Sequence, residues 1–451
     1  MERLNKGDLL DQIKRSNPAR LGRQLLLASI MGLAACQSAP PPRETPVSPS
    51  TPQTIPGDLD CYGRYGLEKR VKQEAKSFDE LAQTPPMGWN GFNGFGYNVN
   101  EKIIKEVADA MSQNCMREAG YEYINLDEGW QSTERNPDGT IKIDTKNFPG
   151  GIKELTDYVH SKGLKFGIYT SVGSSGCQTD VKRAGSYNHE EQDVKFYASW
   201  GVDFLKIDWC GEPKDYPFEG AQKTVKLYSD AIKKSGRPMV LSISCGGCAT
   251  SWKWPDAARP HMWRVGPDIH DQWDGSEHSV LGIINQSHLQ ESIPFSGPGR
   301  WSDADMLRVG NKSLTETEAR SHFSVWAITA SPLIAGNDVR NMSQSTKDIL
   351  LNGEVIAINQ DRKGRPGTKI SDTAGLQIWV KELENSREKA ILLFNSTSRS
   401  REVNFAWKEI GLPGPVVVRD LWNRKDLGSS SDQLKATIEP KGVIFIKASS
   451  R

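Results

Sequence analysis

Phe204-Leu205-Lys206-Ile207-Asp208-Trp209-Cys210 places an ammonium and a carboxylate two residues apart in a short apolar run that ends in a cysteine. In a strand, positions two apart share a face, so Lys206 and Asp208 project together. Burying two charges is costly, and such a pair usually has a task. Related runs recur at Tyr121-Glu122-Tyr123-Ile124-Asn125-Leu126-Asp127-Glu128-Gly129-Trp130, at Met262-Trp263-Arg264-Val265-Gly266-Pro267-Asp268 and at Arg300-Trp301-Ser302-Asp303-Ala304-Asp305. Several strands that each run into acids and aromatics point to one site assembled at the carboxyl edge of a parallel sheet. Thirteen Trp and 41 Gly suit a carbohydrate surface, where flat rings stack on sugar faces, although ordinary core packing accounts for many Trp in any fold.

The elements that must hold these residues alternate. Candidate strands are Met87–Asn90, Tyr121–Asp127, Leu164–Tyr169, Val202–Asp208, Met239–Ser244, Met262–Val265, Ile293–Gly297 and Leu333–Ala335. Between them lie helical patterns: Glu101–Glu118 repeats apolar Ile103, Ile104, Val107, Ala108 and Met111 at helical spacing, and Gly151–Lys162 and Gln192–Trp200 read likewise. Eight such units fit a (β/α)8 TIM barrel over residues 84–366. The competing open, doubly wound sheet lacks its Gly-rich nucleotide fingerprint after the first strand. From residue 367 to 451 the pattern changes to short β-rich runs separated by polar turns, an antiparallel β-sandwich domain. Residues 58–83 form an N-terminal extension of unassigned role, with a charged helical pattern over Leu67–Leu81.

Lys and Arg total 57 against 56 Asp and Glu, so nothing in the balance predicts a nucleic-acid partner. Basic residues up to Arg23 precede an apolar run from Leu25 to Ala35, too short for a stable membrane anchor, and residues 1–35 read as an export signal. The run stops at Leu33-Ala34-Ala35-Cys36, which resembles the lipobox of bacterial lipoproteins. That resemblance implies lipidation of Cys36, a membrane partner through the lipid alone, and a place in the cell envelope. Gln37 rather than Asp after the cysteine would favour the outer membrane. Residues 36–57 are Pro, Ser and Thr with scarcely an apolar residue, a solvated tether. Six further cysteines in an oxidising envelope make disulfides plausible.

Motifs in order along the barrel then carry a specific resemblance. Met87-Gly88-Trp89, Ala119-Gly120-Tyr121-Glu122-Tyr123, Phe148-Pro149-Gly150-Gly151-Ile152, Gly167-Ile168-Tyr169, Asp303-Ala304-Asp305-Met306-Leu307 and Glu354-Val355-Ile356-Ala357-Ile358-Asn359-Gln360-Asp361 resemble glycoside hydrolase family 27, the melibiase-type α-galactosidases and α-N-acetylgalactosaminidases. The resemblance covers residues 84–367, with a β domain following in the family's usual place. It implies a retaining exo-glycosidase that releases terminal α-D-galactose from oligo- or polysaccharides, with no cofactor. Asp208 would be the nucleophile and Asp268 the acid/base, since a double displacement needs one carboxylate to attack and one to protonate the leaving oxygen. Lys206 would keep Asp208 ionised and contact sugar hydroxyls, and Arg264 would bind the ring-face hydroxyls. Trp89, Trp130 and Tyr169 would form an aromatic wall. Asp127 and Glu128 would accept hydrogen bonds from O4 and O6, and Asp305 would bind the O2 and O3 side, with Asp303 equally suited to a structural role. Cys177 and Cys210 match a disulfide that the family carries. Cys245 and Cys248 form a CxxC, a disulfide or redox pair, and without four evident zinc ligands no metal site is expected.

Two departures bear on the substrate. Glu128 stands where most α-galactosidases of the family have a second Asp, and its extra methylene would press on the space of C6. That would favour β-L-arabinopyranose, which lacks the hydroxymethyl group, though one methylene is worth only about 1–3 kcal/mol. Ser244-Cys245-Gly246-Gly247-Cys248-Ala249 is small throughout, where the family sets its preference at C2, and could admit an N-acetyl group. The reading of a different class is a surface carbohydrate-binding lipoprotein without catalysis, against which the pairing of Asp208 and Asp268 with Lys206 and Arg264 argues.

Overall fold

The computed structural model describes residues 60–69, 75–211, 220–245, 248–254, 256, 260–412 and 414–450. The expected signal, tether and lipidation site at Cys36 lie outside the described residues, as does the side chain of Cys248.

Eight parallel strands form the barrel: Met87–Asn90, Tyr123–Leu126, Lys165–Ser171, Phe204–Asp208, Val240–Ser244, Met262–Arg264, Trp301–Asp303 and Leu333–Ala335, here the first to eighth barrel strands. They pair in chain order, with the eighth beside the first. The ring closes through a parallel bridge between Leu307 and Ala335, just beyond the seventh strand. Seven strands fall within or against the expected runs, but the seventh does not. Ile293–Phe295 is a 3-10 turn with Pro294 at its start, and the strand is Trp301–Asp303. Proline supplies no N–H to a ladder, so a run containing it is excluded from a strand hydrogen-bonded on both sides.

The helices follow from periodicity and caps. Glu101–Gln113 starts where the Asn100 side chain accepts from the Ile103 N–H at 3.0 Å, and it buries Ile104, Val107, Ala108 and Met111 against the barrel. Glu316–Ile328 opens with a capping box between Thr315 and Glu318 and is buried nearly all round. It is covered on one side by the barrel and on the other by the C-terminal domain.

That domain is a six-stranded antiparallel sheet with a second, two-stranded sheet, Arg401–Ala406 and Gln433–Ile438. Its strand Glu388–Asn395 shows the period of two directly. Ile391 and Leu393 enter the core between the sheets, while Ala390, Leu392 and Phe394 join the barrel-side core.

The N-terminal extension grips the barrel floor. A short helix, Cys61–Tyr65, is tied by a disulfide from Cys61 to Cys115, beside the helix that leads into the second barrel strand. Phe78 accepts a hydrogen bond from His261 at 2.9 Å, and Leu81 packs with Tyr123, Phe204, Val240, Met262 and Trp301 beneath the barrel. The helical pattern expected over Leu67–Leu81 gives way, among the described residues, to a single 3-10 turn at Phe78–Glu80. Burial of Phe78 and Leu81 under the floor overrides a weak local preference.

Candidate active site

The carboxyl ends of the strands bring the expected residues together in two charge clusters. In the first, Lys206 on the fourth strand donates to Asp127 Oδ2 at 2.7 Å and stands 4.0 Å from Asp208 Oδ2. Asn90 also donates to Asp127 Oδ2 at 2.7 Å, and the Lys206 ammonium lies 5.3 Å from the centre of the Tyr169 ring. Asp208 Oδ1 accepts the Trp209 N–H at 2.9 Å, so its second oxygen is left facing Lys206. Burial, reinforced by the Asp127 and Asp268 carboxylates, outweighs the nearby cations and pushes the Asp208 carboxyl up to about 6. Lys206 does lower Asp208, as expected of it, but burial outweighs that effect. Lys206 itself stays charged: burial opposes it, but Asp127 and Asp208 prevail.

The second cluster centres on Arg264, whose side chain is only 5% exposed. Its Nη1 lies 2.8 Å from Asp268 Oδ1 and 2.8 Å from Asp305 Oδ2. Asp268, by contrast, keeps 78% of its side chain in solvent. Burial would raise its carboxyl, but Arg264 and then Lys206 hold it below the usual carboxylate range. Asp305 occupies left-handed backbone at φ +78°, a conformation that Asp tolerates better than most residues. Its oxygens accept from the Ile269 N–H and the Met306 N–H, each at 2.7 Å. Asp305 thus clamps the loop carrying Asp268, and Asp303 in turn accepts the Asp305 N–H at 2.9 Å. Both are buried, and the Asp305 oxygens hold the Asp268 loop as well as Arg264.

The aromatic wall is not formed as expected. Trp89, Trp130 and Tyr169 are all buried. Trp130 points away from the site, donating to the Tyr169 carbonyl at 3.0 Å and packing edge-on against Tyr197 and Trp200. Gly129, at φ +129°, makes the turn that sends it there. Trp89 donates to the Asn337 carbonyl at 2.8 Å. Tyr169 backs Lys206 rather than facing open space, and its hydroxyl lies 3.4 Å from Glu128 and 3.3 Å from the Cys177 sulfur. Each polar ring atom has found a partner inside the fold, as buried Trp and Tyr do. Sequence reasoning missed Tyr97, in the loop after the first strand. Burial and the Glu128, Asp127, Asp180 and Asp208 carboxylates push its phenol up to about 12, so it faces the acidic cluster. Its only sequence signal was an aromatic residue in a loop at the correct end of the barrel.

Glu128 turns toward the disulfide loop. Its carboxylate accepts the Cys177 N–H at 3.0 Å and the Gln178 N–H at 3.2 Å. Cys177 is bonded to Cys210, two residues beyond Asp208, so Glu128 and the disulfide together fix the loop above the fourth strand. A side chain at Gly176 would place its Cβ 2.0 Å from Glu128 Oε1. Asp208 lies near both of these sulfurs, but they are spent on each other and cannot bind a metal as thiolates. Cys245 is likewise disulfide-bonded.

Comparison with known proteins identifies the family of the chain. The melibiase model described as alpha galactosidase A matches residues 84–361, and the alpha galactosidase C-terminal beta sandwich domain matches residues 373–448. The chain belongs to the melibiase family, glycoside hydrolase family 27. Among its melibiase relatives, alpha-galactosidase A of Cellvibrio japonicus is 42% identical over 399 residues, covering 84% of this chain and 96% of that one. An alpha-galactosidase of Oryza sativa subsp. japonica is 42% identical over 387 residues, 85% of this chain and 89% of that one. The crystal structure of alpha-galactosidase I from Mortierella vinacea superposes with a TM-score of 0.77 at 33% identity, covering 83% of this chain and all 100% of that one. The melibiase barrel and its β-sandwich therefore account for nearly all the described residues.

Proposed function

We propose that this glycoside hydrolase releases terminal α-D-galactosyl residues from oligo- or polysaccharides with retention, using Asp208 as nucleophile and Asp268 as acid/base. The observation that carries the assignment is the contrast between the two carboxylates. Asp208 is recessed on a strand end beside Lys206, whereas Asp268 stands exposed at the mouth beside Arg264. The attacking group must reach the anomeric carbon from within the pocket. The proton donor must meet the glycosidic oxygen on the side from which the leaving group departs. Lys206 and Asp127 then form one hydrogen-bonding unit for sugar hydroxyls, and Arg264 another.

Galactose is favoured over β-L-arabinopyranose because the carboxylate of Glu128 is already bound by the Cys177 and Gln178 backbone, which weakens the case for its pressing on C6. The test is turnover of nitrophenyl α-galactoside, β-L-arabinopyranoside and α-N-acetylgalactosaminide. The galactoside should be cleaved with the highest kcat/KM, and absence of turnover on all three would reject the enzyme reading. Asp208→Asn should lower kcat on the order of 10⁴-fold or more. Asp268→Ala should spare galactosyl fluoride, whose leaving group needs no proton, far more than a sugar leaving group.

From the lipobox-like Leu33-Ala34-Ala35-Cys36 alone, the protein is also proposed to be an exported lipoprotein. Fatty-acid labelling in a bacterial host that is lost in Cys36→Ser tests this.

A further inference from the structure

On the Asp268 loop, two imidazoles stack face to face beside the exposed carboxylate. The ring centres of His270 and His278 lie 4.5 Å apart with an interplanar angle of 14°. The pair is built rather than incidental. His278 donates from Nδ1 to the Asp268 carbonyl oxygen at 2.8 Å, and the His270 N–H donates to the His278 carbonyl at 2.7 Å. That backbone bond holds the two ring-bearing segments side by side. His270 is exposed and His278 keeps 36% of its side chain in solvent, so the stack lies at the surface and not in the core.

A proton donor touches the glycosidic oxygen, so whatever is attached to that oxygen lies against the residues flanking the donor on its solvent side. His270 and His278 carry flat rings on the same loop, the latter bonded to the Asp268 backbone, and both are open to solvent. A pyranose offers an apolar face of C–H bonds to a flat ring, and its hydroxyls can meet imidazole nitrogens at the ring edge. Neither histidine is needed to explain the chemistry at the anomeric carbon.

We propose that the His270–His278 stack is the platform for the leaving-group sugar, the unit next to the scissile bond. The proposal rests on the assignment of Asp268 as proton donor. It makes this pair a determinant of which glycosides are cleaved, independent of the recognition of galactose.

The full chain tests this with two substrates that share the galactosyl unit: galactosyl fluoride, which has no leaving sugar, and an α-1,6-linked galactosyl-glucose disaccharide. His270→Ala should raise KM for the disaccharide about fivefold more than KM for the fluoride, the size expected for one lost ring contact. His270→Phe, which keeps a flat ring, should recover most of that difference. Equal losses on both substrates would overturn the platform, because they would mean that His270 merely supports the Asp268 loop. No change on either would also overturn it. Failure of the unaltered protein to turn over the fluoride would instead reject the glycosidase assignment, and the platform with it.

Discussion

Lys206 donates its shortest hydrogen bond to Asp127, at 2.7 Å, and stands 4.0 Å from Asp208. The ammonium therefore serves two carboxylates unequally, and the titration of the site follows from that. Burial, with Asp127 and Asp268 adding to it, pushes Asp208 up to about 6, while at the exposed Asp268 Arg264 and Lys206 outweigh the partial desolvation from the surrounding protein and hold it low. Catalysis needs Asp208 ionised and Asp268 protonated, a form with one proton on the pair. The one-proton window lies between the two apparent values, whichever residue carries the proton. Activity should thus peak at mildly acidic pH and fall on the alkaline side through about 6. Lys206→Met removes a cation that lowers Asp208, so the alkaline limb of kcat/KM should move to higher pH. A limb that stays in place or moves down would contradict the coupling.

Glu128 and Gly176 make a second prediction. Gly176→Ala would drive a methyl group into the Glu128 carboxylate, where a Cβ would sit 2.0 Å from Oε1. The strain should lower stability by about 1–3 kcal/mol, read by thermal unfolding. Glu128→Asp should also destabilise, since its carboxylate no longer reaches the Cys177 and Gln178 N–H groups, but it should relieve the clash. The double variant should therefore be more stable than the sum of the two single losses. With Glu128 engaged by the loop, Glu128→Asp should leave the galactoside-to-arabinopyranoside ratio within about twofold, below the usual worth of one methylene.

Lys381 gives a third. On the barrel-facing side of the β domain its ammonium nitrogen is buried with no hydrogen-bond partner among the described residues. Burial pulls its titration down to about 7, against which Asp361 supplies only partial support. A base whose folded value is depressed weakens the fold increasingly as pH falls from its unfolded value toward 7, and by a constant amount below that. Lys381→Met should stabilise the protein at pH 6–7 on the order of 3 kcal/mol, and much less at pH 10. Equal gains at both pH values would show that packing, not charge, is responsible.

The Cys61–Cys115 disulfide spans 54 residues of sequence and joins the N-terminal extension to the barrel. Cys61→Ser should cost about 2–5 kcal/mol of stability. It should leave kcat/KM unchanged, because the bond lies at the end of the barrel away from the carboxylates.

Much of this was legible because chemistry leaves local marks. The Lys206-Ile207-Asp208 spacing fixes a shared strand face, and Arg264 with Asp268 spans one strand end and its loop. The parallel architecture followed from alternating periods of two and about 3.6. What could not be read depends on partners distant in sequence. Trp130 looks like a site residue until Tyr197 and Trp200 are seen to enclose it. Asp305 and Glu128 also accept the N–H groups of Ile269, Cys177 and Gln178, loop contacts that no local pattern announces. The seventh strand, Trp301–Asp303, is three residues long with two of them polar, too short for a periodic signal.

The extension across the barrel floor has a practical consequence. Cys61, Phe78 and Leu81 of the extension are held by Cys115, His261 and the floor cluster, at the end of the barrel away from Asp208 and Asp268. A bead, surface or reporter coupled just ahead of Asp60 would therefore be attached behind the working face. Immobilised in that orientation, the protein should process polymeric glycans at rates close to those of the free form, whereas coupling through the exposed Asp268 loop should block them.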